Sequence, residues 1–188
     1  MDPFPAPHDD VEIRPLTVAD AAAWRALRLE ALRDHPTAFL ASHEEASRLD
    51  VAAFAAALPV PPSVLFGLFV DGGLAGSAGL MVREAAKVRH KGLVWGFYLA
   101  PSARGRGLGR RLLAHLIARV PVEVGLLQLN CLVGNESARR LYAALGFRPY
   151  GVEVAALRVG GVDYDDELMW LPLPGRLPAS PISDRRAP

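Results

Sequence analysis

Four arginines and no acid occupy the eight residues from Arg104 to Arg111, within the run Ala100-Pro101-Ser102-Ala103-Arg104-Gly105-Arg106-Gly107-Leu108-Gly109-Arg110-Arg111. Three glycines alternate through it, so backbone N–H groups can turn inward on a single target where side chains would otherwise stand. The apolar periodicity that follows predicts a helix from about Gly107 to Val120. The first N–H groups of that helix have no internal partners and carry the positive end of its dipole. The chemistry implied is capture of a phosphate or pyrophosphate, and the alternative is a solvated Arg/Gly turn. Two familiar phosphate motifs are excluded. No Gly-x-x-x-x-Gly-Lys-Ser/Thr run exists, and Gly105, Gly107 and Gly109 have the wrong spacing for a dinucleotide fingerprint, with no acid about twenty residues on.

A second cluster lies at Asn135-Glu136-Ser137-Ala138-Arg139-Arg140-Leu141-Tyr142-Ala143-Ala144-Leu145-Gly146-Phe147. Tyr142 follows Asn135 by nearly two helical turns, so both can face one side of a sheet. A phenol there could act as a proton donor. It could equally be a core aromatic beside Leu141, Leu145 and Phe147, with Gly146 as a left-handed helix cap.

These two clusters closely resemble the GNAT superfamily of N-acetyltransferases. The family's acetyl-CoA loop, Arg/Gln-x-x-Gly-x-Gly/Ala, reads here Arg104-Gly105-Arg106-Gly107-Leu108-Gly109, and its Asn-x-x-Ala-x-x-Leu-Tyr-x-x-x-Gly-Phe segment reads as Asn135 to Phe147. The resemblance implies that backbone groups of Phe97 and Leu99 pair with the pantetheine arm like an added strand. It implies that the amides of Arg104, Gly105, Arg106, Gly107, Leu108, Gly109 and Arg110 bind the pyrophosphate, with Asn135 on the far side and Tyr142 as the acid. It further implies acetyl-CoA as co-substrate and direct transfer to a primary amine of a small molecule, peptide or protein. Some relatives carry a glutamate early in the fourth strand, where this chain has Leu93-Val94-Trp95. Glu84 is therefore the named candidate for the base, with His90, Asp165, Asp166 and Glu167 as others, and a non-catalytic acyl-CoA sensor is the competing reading.

The elements that would position these groups are legible from patterning. Val11 to Arg14 predicts a strand, and Thr17 with Asp20 predicts a capping box for a helix to about Asp34. A second helix is expected over Glu44 to Leu58, stopped by prolines. Val64 to Val70 and Leu74 to Arg83 predict a hairpin over Asp71-Gly72-Gly73. Gly92 to Leu99 and Val124 to Cys131 are further strands, a helix is expected over Asn135 to Leu145, and Tyr150 to Arg158 with Tyr164 to Leu171 turn over Gly160-Gly161. Seven strands and four helices, with hairpins and one strand-helix-strand crossover, give an α/β fold with a mixed sheet; the resemblance makes that sheet GNAT-like, mostly antiparallel. The acceptor pocket is expected from the first two helices, the loop before Val64 and the hairpin ending at Leu171, with Trp24, Phe39 and Phe54 as lining candidates that are equally well placed for core packing.

Composition bounds the rest. The chain has 188 residues, 51% hydrophobic and 22% charged, which fits one domain over residues 11–171, with a flexible tail at 1–10 and a proline-rich one at 172–188. Its 21 basic and 20 acidic residues leave +1, so no global field points to nucleic acid or a membrane surface. No export signal opens the chain, and the charge-free stretch from Val51 to Val70 is broken by Pro59, Pro61 and Pro62. The single cysteine, Cys131, excludes an internal disulfide and fits a reducing, cytoplasmic setting. The five histidines have no metal-ligand spacing, so no metal is expected. Dimers are frequent in the family, which makes a homodimer a further expectation.

Overall fold

One seven-stranded sheet carries the structure, in the order β1-β2-β3-β4-β5-β7-β6. The computed structural model describes residues 10–176. Its strands are β1 (Val11–Pro15), β2 (Val64–Val70), β3 (Gly73–Val82), β4 (Lys91–Leu99), β5 (Leu126–Leu132), β6 (Arg148–Val159) and β7 (Val162–Pro172). The helices are α1 (Ala21–Asp34), α2 (His43–Ser47), α3 (Val51–Ala56), α4 (Leu108–Ala118) and α5 (Glu136–Ala144), with short 3-10 turns at Val18–Asp20 and Pro101–Ala103. Only β4 and β5 run parallel, joined by the crossover through α4. The mixed α/β sheet is thus the one its patterning foretells, and its mostly antiparallel pairing is the one the resemblance implies.

The turns obey local backbone rules. Asp71 and Gly72 take positive φ of 50° and 78° between β2 and β3, and Gly160 and Gly161 take 58° and 80° between β6 and β7. Two consecutive positive values are the type I′ geometry whose twist suits a hairpin. At the end of α5, Gly146 stands at φ 94°, Phe147 N–H bonds the Tyr142 carbonyl at 3.1 Å and Gly146 N–H that of Ala143 at 2.9 Å. This is a Schellman cap, and it turns Phe147 back into the core.

Alternation along the strands divides the interior into two layers. Val94, Leu127, Leu129, Cys131 and Met169 face α4 and α5, whose Leu112, Leu113, Leu116 and Tyr142 complete the larger cluster. On the other face, Trp24 of α1 and Phe54 of α3 pack with Leu65, Phe69 and Trp95. Trp24 and Phe54 meet edge to face, 5.0 Å between centroids.

Two expectations need correction. The helix expected over 44–58 is broken in two. Asp50 caps α3 by accepting from Ala53 N–H at 2.8 Å, and Arg25 of α1 donates to the carbonyls of Leu49 (2.7 Å) and Ser47 (3.0 Å) at the break. A good N-cap residue inside an alanine-rich run thus starts a new helix, and a neighbouring guanidinium satisfies the carbonyls left behind. Ordered packing also continues past 171. Pro172 pairs with Leu126 at the end of β7, and Leu173 is buried with its N–H on the Gly125 carbonyl. The remainder of the two expected tails, 1–9 and 177–188, lies outside the described residues.

The capping box at α1 ties that helix to the sheet. Asp20 accepts from Thr17 N–H at 2.8 Å and takes both Nη atoms of Arg14, on β1, at 2.8 Å each. The Arg14 hydrogen bonds, ahead of those from Thr17 and against the cost of burial, hold the Asp20 carboxyl far below its usual value. A carboxyl lowered by folding stabilises the fold fully above its unfolded value near about 4, and that contribution drains away as pH falls toward the folded value. Asp20→Ala is expected to cost about 1–2 kcal/mol at pH 7, and the gap to wild type should shrink between about pH 4 and 2 in denaturant titrations.

Candidate functional site

After three residue pairs, Lys91 with Leu126, Gly92 with Leu127 and Leu93 with Gln128, β4 and β5 cease to be hydrogen-bonded. Both strands continue, β4 to Leu99 and β5 to Leu132, so they open a V between them. A cleft of about 420 Å³ occupies that opening. Asn130 and Cys131 both line it. Successive strand residues point to opposite faces, so the cleft passes through the plane of the sheet.

A bulge in β4 produces the parting. Between the pairs Gly79 with Trp95 and Ser77 with Tyr98, β3 advances two residues and β4 three. The extra residue falls where Gly96 adopts φ 60°, and the buried Ser77 hydroxyl donates to the Gly96 carbonyl at 3.0 Å. Ser77 therefore serves the backbone. A glycine in the middle of an apolar strand is the sequence signal for this bulge, which strand patterning alone passes over.

The Arg/Gly loop closes one end of the cleft. Gly105 and Gly107 stand at φ 74° and 72°, with nothing within 4 Å of where a Cβ would project, and Gly107 is the N-cap of α4. Gly109 is tight instead: a Cβ there would lie 3.2 Å from side-chain atoms of both Leu99 and Phe97, so any larger residue would press α4 against β4. The open side is a concave strip of backbone leading to a helix N-terminus, which fits a pyrophosphate. Arg104 turns away from it. Its Nε donates to the Leu99 carbonyl at 3.0 Å, one Nη meets His35 Nε2 at 3.1 Å, and the guanidinium lies 5.4 Å from the Tyr98 ring centre. That side chain fastens the end of β4 to the end of α1.

The structure brings Phe97, Leu99, Arg104, Gly105, Gly107, Gly109, Arg110, Asn135 and Tyr142 around the one cleft. Leu108 faces the core and Arg106 is exposed in the loop. Asn135 faces the loop across the opening while its Oδ1 caps α5 on the Ala138 N–H at 3.2 Å. Tyr142 is 7% exposed, its ring between those of Phe97 (6.1 Å) and Phe147 (5.9 Å). It is both core aromatic and cleft wall. Burial, with a smaller contribution from Cys131, pushes its phenol well above the ordinary value, so it stays protonated at any working pH.

Glu84 is not among these residues. It is exposed in the loop before β4, two residues beyond the Val82–Gly92 pair, whereas the cleft begins past Leu93 and ends at Leu99. Seven residues of strand from Gly92 to Leu99 span roughly 23 Å, and that length separates Glu84 from the loop end of the site. His90 lies at the same far end. Of the three acids on β7, Asp165 accepts from Ala155 N–H at 2.8 Å and Glu167 pairs with Arg139 at 3.2 Å. Asp166, opposite Leu132 and 9% exposed, is not itself in the cleft lining and is joined to it through Asn130, which is. Burial raises its carboxyl above the ordinary range, a hydrogen bond from Asn130 opposes the rise, and Glu153 adds to it. Phe39 lines the cleft as expected, whereas Trp24 and Phe54 belong to the core.

The model of the Acetyltransferase (GNAT) family matches residues 20–147, more than half of the chain and spanning both motifs. The chain belongs to the GNAT acetyltransferase family. Solved structures repeat its fold. An acetyltransferase of the GNAT family from Streptococcus pneumoniae superposes with a TM-score of 0.75 at 22% identity, over 87% of this chain and 100% of that one. The Salmonella typhimurium protein yncA, solved with its cofactor acetyl-CoA, gives 0.74 at 21% identity, over 92% and 99%. A ribosomal-protein-alanine N-acetyltransferase from Brucella melitensis gives 0.69 at 24%, over 86% and 99%. In this GNAT chain the loop, the bulge and the V occupy one side of α4 together, as a shared site requires.

Cys131 offers a check on this geometry. Burial, then the carboxylates of Glu167 and Asp166, push its thiol up to about 11. At pH 8 alkylation by iodoacetamide should run roughly two orders of magnitude slower than for a free cysteine, and accelerate about tenfold per unit between pH 8 and 10, as followed by timed mass spectrometry.

Proposed function

We propose that this GNAT-family chain is an acetyl-CoA-dependent N-acetyltransferase that passes the acetyl group directly to a primary amine within a ternary complex. The observation that carries the reading is the cleft through the sheet, walled by Cys131 and Tyr142 on the α4 face and reached by Asn130 on the α1 face. Donor and acceptor can then meet from opposite sides without a covalent enzyme intermediate. Acetyl-CoA supplies the activated acetyl thioester. In this reading the amides of residues 104–110 hold its pyrophosphate, and Phe97 offers the backbone groups that β5 leaves unpaired, with Leu99 offering its N–H while Arg104 takes its carbonyl.

Amine attack needs a proton acceptor on the α1 face and a donor for the thiolate on the α4 face. Asp166 is assigned the first role in place of Glu84. Its register places it on the α1 face, since Asp166 pairs with Leu132 while Glu167 pairs with Cys131. A carboxyl raised by burial is better matched to an amine's proton than an ordinary one. Tyr142 is assigned the second role, its phenol kept protonated by burial.

A non-catalytic acyl-CoA sensor has one observation in its favour: Leu93 and Trp95 fill the β4 positions on the acceptor face, leaving no carboxylate there. Thiol release from acetyl-CoA, measured over a panel of amino acids, polyamines, aminoglycosides and peptides, separates the two. Amine-dependent release supports the enzyme; tight acetyl-CoA binding with no release from any amine supports the sensor.

Two substitutions test the roles. Tyr142→Phe should lower kcat about 10²-fold or more with acetyl-CoA affinity nearly unchanged, and retention of full kcat would remove the tyrosine from the chemistry. Asp166→Asn should lower kcat/KM by a similar factor and abolish the rise of activity with pH through the Asp166 titration. Since folding favours the unionised Asp166, its ionisation at neutral pH costs stability, so the asparagine variant should melt no lower than wild type at pH 7.

A further inference from the structure

Among the described residues, two buried side-chain polar atoms have no hydrogen-bond partner: one Nη of Arg28 and Nε1 of Trp95. Both atoms are pure donors. Both belong to the α1 face of the sheet. Trp95 packs in the layer that contains Trp24, and Arg28 follows Trp24 by one turn of α1. The Arg28 guanidinium lies 4.4 Å over the ring of Phe39, and Phe39 lines the cleft. Trp95 immediately precedes the Gly96 bulge at which the cleft begins.

Arg25, three residues earlier on the same helix, shows what a structural arginine does here, with its bonds to Leu49 and Ser47. Arg28 has no such bonds. Burial depresses its pKa, with no carboxylate to offset the loss of solvent. Arginine does not escape that cost by losing its proton, as a buried lysine can. A guanidinium kept in such a place is explained by an anion that arrives with a ligand.

We propose that Arg28, together with the Trp95 indole N–H, receives the carboxylate of the acetyl acceptor, so that the acceptor is a small amino acid carrying both an amine and a free carboxylate. This inference rests on the acetyltransferase reading above and narrows its acceptor. A carboxylate is acceptor-only, carries the single charge that one arginine matches, and fits the planar fork of a guanidinium. The amine end is served on the same face by Asp166 and Glu153, which face each other across β7 and β6. Phe39, on the irregular segment that joins α1 to α2, both carries the guanidinium on its ring and lines the cleft, so Arg28 sits directly beside the cleft wall. Aromatic surroundings favour an apolar side chain on the acceptor. A polyamine or an aminoglycoside leaves Arg28 unpaired.

The test compares leucine, phenylalanine and tryptophan with their carboxamides, as acceptors in thiol release and as ligands in calorimetry with CoA present. The acids should exceed the amides by at least about tenfold in kcat/KM and in affinity. Arg28→Met should erase the preference while leaving turnover of the amides within about twofold. Because it removes an unpaired buried charge, it should fold with an unchanged or higher Tm. Arg28→Lys, which keeps the charge and loses the fork, should fall between. Equal use of acids and amides, or a preference that survives Arg28→Met, overturns the carboxylate site and leaves the acetyltransferase reading standing. Arg28-dependent binding of the acids without any thiol release keeps the site and removes that reading. Absence of binding by every acid overturns the site.

Discussion

A strand that leaves its neighbour exposes backbone donors and acceptors, and β4 does so after only three pairs with β5. Such groups are costly to bury unpaired, so the gap must be filled from outside or stay open to water. Everything at the site follows from how the chain keeps it open. One extra residue at Gly96 turns β4 away, and the Ser77 hydroxyl satisfies the carbonyl that the bulge releases. Arg104 then holds the strand's last carbonyl and binds it to His35, so the freed edge has a fixed end. Gly109 lets α4 approach within contact of Leu99 and Phe97, which brings the helix N-terminus to that edge.

The same parting makes two faces available to one reaction. On the α4 side the wall is apolar and aromatic, with Tyr142 held between Phe97 and Phe147. On the α1 side stand the polar groups, among them Asn130, Asp166 and Glu153, and the Arg28 guanidinium lies over the Phe39 ring. Burial is the common cause of the shifts at Tyr142 and Asp166, and it acts oppositely on their use. A buried phenol is kept as a proton donor, and a buried carboxyl becomes a better proton acceptor. That division is what a transfer between two bound molecules needs, and a protein nucleophile is then unnecessary.

What could be read from the sequence follows physical locality. Turns at Asp71-Gly72 and Gly160-Gly161, the cap at Gly146 and the box at Thr17 and Asp20 depend on a few adjacent residues, and each stands where its pattern puts it. The Arg104–Gly109 and Asn135–Phe147 clusters were legible for the same reason. Choices decided by tertiary partners were not. The break at Asp50 depends on Arg25, 25 residues away, to satisfy its carbonyls. The proposal of Asp166 rather than Asp165 or Glu167 rests on Ala155 and Arg139 taking up the other two. Glu84 was attractive by its place in the chain and is removed by the antiparallel register of β3 on β4, which carries it to the far end of the sheet. Arg28 gave no signal in sequence because its meaning lies in a missing partner, which only packing reveals.

In the proposed function, acetyl-CoA completes the edge of β4 beyond the bulge together with the Arg/Gly loop. Amide hydrogen exchange with and without acetyl-CoA reads this residue by residue. Binding at that edge should slow exchange at Phe97 to Leu99 and across 104–110, with little change at Lys91 to Leu93, which β5 already pairs. Acetyl-CoA binding that leaves the exchange of 97–99 and 104–110 unaltered would contradict it.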